Sequence, residues 1–229
     1  MPNEPADSSL AAITKTFMEA TAPLDDIVKK STDASLSQYA DILLCLSSEA
    51  MMAYMRLLKH VEEKNLRYSA FELRNLLELE VWTEYCGKSK ENAQRLYDDA
   101  VRDVNGIMAA CTRMSELVTV LPKSWVSGRI TAEESLRRMS TEAGIQELDP
   151  NYLSVYHAAK EISPEIGIVF SRVNTILSKF VHPTALSIRT VIPPKMAADF
   201  TSLFLSRGTQ LITGLIAEVG KAANKLVGD

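Results

Sequence analysis

Apolar side chains recur at helical spacing along most of this chain, and the stretch 66–86 carries the most informative pattern. At 100° per residue, Leu66, Ala70, Leu73, Leu77 and Val81 share one face, while Phe71, Leu79, Trp82 and Cys86 share another. A helix apolar on two sides is one sandwiched in a core, so polar groups caught between the faces need partners. Arg67, Arg74, Glu78 and Tyr85 fall on one line between them. The pattern predicts an internal polar site.

No series of alternating β-branched segments bounded by turn signals appears, so the expected fold class is all-α. Punctuation places the elements. A first helix is predicted over 9–30, bent before Pro23, and a long one over 36–64. The two-faced helix should end at Gly87, with Ser89 capping a helix that reaches Pro122. After a connector over 122–129, the capping box at Thr131 to Glu134 starts a short helix ending at Gly144. Asp149-Pro150 and Ser163-Pro164 are further start signals, the second opening a helix that stops at Val181-His182-Pro183. A last amphipathic helix over 195–226 should bury Phe200, Leu203, Leu211, Leu215 and Val219. Gly208, Gly214 and Gly220 would allow close approach there. Without internal repeats or a flexible linker, residues 1–229 read as one up-down bundle.

Composition changes this picture little: 229 residues, 46% hydrophobic and 24% charged, suffice for a sizeable core. The acidic, polar opening and the lack of an apolar run of roughly 20 residues predict a cytoplasmic protein with neither secretory signal nor membrane span. Cys45, Cys86 and Cys111 are odd in number and each lies on an apolar helical segment, so buried free thiols are expected. A net charge of −4 argues against wholesale binding to a phosphate backbone. That average hides a split, since residues 166–229 carry +4 and residues 1–165 carry −8. Charge complementarity within the molecule or between subunits is the simplest reading, and a basic face near the polar site would favour an anionic ligand.

Arg74 and Glu78 stand one helical turn apart and can pair, either fixing helix packing or facing a ligand. On the helix before Pro183, Ser171, Thr175, Ser178 and His182 align opposite the core face. His182 can interact with the free carbonyls at that helix end, or serve a site. His157, beside Tyr152 and Tyr156, could reach the same site. Three histidines without an i,i+4 pair and no Cys-x-x-Cys leave no metal or other cofactor expected. Phosphate loops, nucleophile elbows and HExxH are likewise missing from the sequence.

Two fragments, Phe71-Glu-Leu-Arg-Asn-Leu-Leu-Glu78 followed by Trp82 and Tyr85, and Ile176-Leu-Ser-Lys-Phe-Val-His182-Pro183, carry a resemblance. They are similar to uncharacterised bacterial all-helical proteins related to the HEPN superfamily. Those show Arg-x-x-x-Glu on an early core helix and Ser-x-x-x-His-Pro near the end of a later one. The likeness implies a HEPN-like bundle, homodimeric, with a pocket formed by Arg74, Glu78, Tyr156, Ser178 and His182. Arg74 would bind an anionic small molecule or RNA end, Glu78 would orient it, and Ser178 and His182 would hydrogen-bond it, in the setting of a bacterial defence or toxin-type system. HEPN ribonucleases carry arginine and histidine on one helix. Here Leu79, Glu80 and Val81 occupy the histidine positions after Arg74. Metal-independent ribonuclease chemistry, with Arg74 and His182 catalytic, would therefore need these two residues to meet across helices. The remaining alternative is a structural or interaction protein whose polar stripe is only packing.

Overall fold

The computed structural model describes residues 5–98, 153–182 and 192–228. Every element in them is a helix, and among the described residues there is no strand. The chain, read from sequence as one domain, divides into two compact units, residues 1–93 with 154–229 and residues 94–153. The first is a helical bundle of α1 (Pro5–Lys30), α2 (Ala34–Glu62), α3 (Leu66–Lys88), α4 (Val155–Ile162), α5 (Pro164–Val181) and α6 (Pro194–Gly228). Of the second, nearly all residues lie outside the described set, as do the expected connector over 122–129, the capping box at Thr131 and the Asp149-Pro150 start.

The helix starts follow the capping chemistry. Asp33 Oδ1 accepts from the amides of Ser35 and Leu36 at 2.9 and 3.2 Å to open α2. Ser163 Oγ accepts from Ile166 at 3.1 Å, with Pro164 first in α5. Ser89 caps the following helix by accepting from Asn92 at 3.2 Å.

Pro23 lies within α1, which is one helix as expected. One punctuation mark differs from expectation. Gly87 lies inside α3, where an added Cβ would meet Ala222 Cβ at an ordinary 3.7 Å. The left-handed position instead falls to Lys64, φ 55°, between α2 and α3. Asn65 N donates to His60 O at 2.8 Å and Lys64 N to Val61 O at 3.1 Å, the paired bonds of a Schellman ending.

α3 is central, packing against α2, α4, α5 and α6, while α1 packs on α2 and α6. Its first predicted face is buried at Ala70, Leu73, Leu77 and Val81. The second is not a core face: Phe71 is exposed, Leu79 and Trp82 are half-buried, and only Cys86 is buried. Burial passes instead through Ser69, Glu72, Leu76 and Thr83, because α2 and α6 both cover that side. Glu72 is buried and accepts from Arg56 Nε at 3.1 Å and Asn75 Nδ2 at 3.2 Å, pinning α3 to α2.

In α6, Leu211, Leu215 and Val219 are buried as expected, but Leu203 is exposed and Phe204 takes its place. Phe200 is half-buried in a ring cluster with Phe180 and Phe204, at centroid separations of 5.0 and 5.9 Å. Of its three expected close-approach glycines, Gly208 is the one pressed against a neighbour, with Leu57 Cδ2 filling the place where its Cβ would be. Cys86 is buried, and burial pushes its thiol up to about 12. Cys45 is exposed, contrary to expectation, with its thiol 3.9 Å from Asp41 and raised by partial burial and that carboxylate. Cys111 lies outside the described residues.

Candidate functional site

The polar line of α3 runs along the side facing α4 and α5. At one end Arg67 Nε donates to the carbonyl oxygen of Val181, 3.2 Å away. At the other, Tyr85 donates its hydroxyl to Glu161 at 3.2 Å and Lys88 Nζ reaches Ile162 O at 3.0 Å. These contacts fix α3 and α5 as antiparallel neighbours: the start of α3 lies by the end of α5, and the end of α3 by its start. Residues 71–78 and 176–182, about 100 residues apart in sequence, therefore share one seam.

Arg74 and Glu78 lie midway along it. Arg74 Nε donates to Glu78 Oε1 at 3.0 Å, and the side chains are 28% and 31% exposed. The pair is thus neither fully buried nor free on the surface. By the helical rise, Arg74 stands about 10 Å along α3 from Arg67, roughly level with Asn174 on α5. Asn174 Oδ1 is buried with no hydrogen-bond partner among the described residues. Ser178, half-buried, is one turn further along α5, and His182, exposed, caps its end by donating its backbone amide to Ser178 O at 3.1 Å.

Tyr156 belongs to a third element. It sits on α4, exposed, under Lys160 Nζ at 5.5 Å from its ring centre. α4 precedes the start of α5, and the 18 residues of α5 span about 27 Å. The ring contacts of Tyr156 are to His157 and Lys160 of its own helix. Arg74 and His182, about two helical turns apart, leave room for an extended ligand rather than a single compact ion. His157 is occupied locally, its Nδ1 3.0 Å from Ser154 Oγ. The hydroxyl row of α5 faces outward, with Ser171 and Thr175 exposed and Thr175 donating to its own helix at Ser171 O. Among the described residues no group of three or more His, Cys, Asp or Glu is placed to hold a metal ion. No helix there is long and apolar enough to cross a membrane.

A second feature, unannounced by any spacing, is a cleft of about 260 Å³ between α3, α5 and α6. Glu80, Glu84, Glu165 and Arg207 line it over an apolar floor. Burial lifts the Glu80 carboxyl to about 7, against the opposing pull of Arg207 and with help from Glu84 and Glu218. The one available sequence signal was the placement of Glu80 beside the face formed by Leu73 and Leu77. Compared with known proteins, the chain matches no family model, no curated protein and no solved structure.

Proposed function

We propose that the α3–α5 seam is a binding site for an extended anionic ligand, such as the phosphorylated end of an RNA. The observation that carries this reading is the Arg67–Val181 hydrogen bond, since it sets the start of α3, with its arginines, beside Ser178 and His182. Arg67 and Arg74 supply fixed positive charge, His182 adds an imidazole, and Ser178 offers a hydroxyl. Glu78 holds the Arg74 guanidinium in one orientation. The partial exposure of Arg74 leaves its outer nitrogens within reach of solvent.

The test is binding of a short oligoribonucleotide with and without a 5′-phosphate, followed by fluorescence anisotropy. The phosphorylated strand should bind more tightly, and Arg74→Met and His182→Ala should each weaken it about tenfold or more while the fold is retained. Equal binding of both strands, or unchanged binding by both variants, would remove the reading.

A second reading rests on a specific observation: Arg67, Arg74 and Tyr85 each already have a protein partner. In it the stripe only fastens α4 and α5 onto α3, and the bundle serves as an interaction scaffold. Loss of helix docking without any loss of RNA binding in the same variants favours this second reading.

A further inference from the structure

The cleft between α3, α5 and α6 combines three properties that packing alone does not require. It is a real void, about 260 Å³, somewhat below the range of roughly 300–1,000 Å³ that holds drug-sized ligands. Its floor is apolar, formed by Leu77 and Val81 of α3 with Ile166, Val169 and Phe170 of α5. Charges of both signs stand in it without contacting one another. Glu80 makes no hydrogen bond or ion pair among the described residues, although it is half-buried. Its Oε1 reaches across to α6, where a Cβ added to Gly214 would meet it at 3.3 Å. Arg207, also on α6, spends one nitrogen on Gln210 Oε1 at 3.0 Å and leaves the rest of its fork uncommitted.

A carboxylate and a guanidinium that share a cleft but do not pair are a costly arrangement unless something comes between them. We propose that the cleft binds a small zwitterion with an apolar side chain, an apolar α-amino acid, its ammonium on Glu80 and its carboxylate on Arg207. The side chain would cover the apolar floor. Glu84, also on α3, and Glu165 on α5 add negative potential on the ammonium side, which explains why one arginine meets several carboxylates. This site faces a different flank of α3 from the Arg74 line and does not depend on the anion-binding reading.

Glu80 must be ionised to hold an ammonium, and its pKa of about 7 makes that state incomplete at neutral pH. The charged groups around it are Glu84 on α3, Glu165 on α5, and Arg207 and Glu218 on α6, the last two acting on Glu80 in opposite directions. An arriving ammonium favours the ionised form, so binding should release protons and strengthen as pH rises through 7.

The experiment is calorimetric titration of the full chain with leucine and phenylalanine, alongside isopentylamine and 4-methylpentanoate, which each keep one charge of leucine. Leucine or phenylalanine should bind, and each single-charge analogue should be about tenfold weaker or worse. Glu80→Gln keeps the shape of the protonated residue and should abolish amino-acid binding and its proton release, with circular dichroism unchanged. Arg207→Met should reduce leucine to the affinity of isopentylamine. No heat with either amino acid at millimolar concentration, an analogue as tight as leucine, or wild-type binding by a folded Glu80→Gln would overturn the proposal.

Discussion

Arg67 closes the end of α5: its Nε donates to the carbonyl oxygen of Val181 at 3.2 Å, from a helix more than 100 residues earlier in the chain. The last carbonyls of a helix have no partner of their own and carry its negative pole, so a guanidinium there satisfies both needs. His182, the residue the sequence offers for that role, contributes its backbone amide. Arg67→Met should cost about 0.3–1 kcal/mol, lost progressively in high salt, while Arg67→Lys should keep part of it. Urea unfolding at low and high ionic strength measures this. A cost that salt does not change would mean that the stem of Arg67, not its charge, does the holding.

The Arg74–Glu78 pair is partly exposed, which sets its energy. A buried pair broken on one side costs about 3–5 kcal/mol, but a pair four residues apart on a helix and open to water is worth about 0.3–0.5 kcal/mol. Arg74→Met and Glu78→Gln should each destabilise by less than about 1.5 kcal/mol, with a coupling energy below about 1 kcal/mol in the double-mutant cycle. Coupling of several kcal/mol would show that the seam excludes water around the pair.

Glu80 should make stability fall as pH rises. Its folded pKa of about 7 lies above the unfolded value near 4.5, so the native state holds a proton that the unfolded chain gives up between those values. The loss is confined to about pH 4.5–7 and amounts to roughly 1–3 kcal/mol after allowance for the open side of the cleft. Glu80→Gln should match the wild type near pH 4.5 and exceed it by that amount near pH 8. Urea midpoints across this range provide the check, and equal midpoints near pH 8 would mean that Glu80 is solvated or paired.

Lys64 occupies the left-handed position that ends α2, at φ 55°. A side chain there costs about 1–2 kcal/mol, which glycine avoids. Its amide and that of Asn65 already make the bonds of the ending, so no contact is lost on substitution. Lys64→Gly should stabilise the protein by about 0.5–1 kcal/mol, less than the relieved strain because glycine also loosens the unfolded chain. Thermal unfolding decides it; a lower midpoint would show that the Lys64 side chain holds the turn.

What the sequence by itself determined was local. Helical periodicity, the caps at Ser89 and Ser163, and the stop at Val181-His182 depend on chemistry within a turn or two, and each is where the pattern put it. The polar line of α3 was also legible, because residues on one helix keep their angular order in any fold. Only tertiary structure decided what that line meets. Whether Phe71 or Glu72 is buried depends on where α2 lies against α3, and an apolar side chain on a wheel does not reveal which neighbour covers it. That the start of α3 lies by the end of α5 follows from contacts such as Arg67 to Val181, which no local pattern announces. The Glu80–Arg207 cleft joins residues on different helices that no spacing rule connects. Local stereochemistry writes the elements; the burial each side chain receives is a property of the assembled bundle.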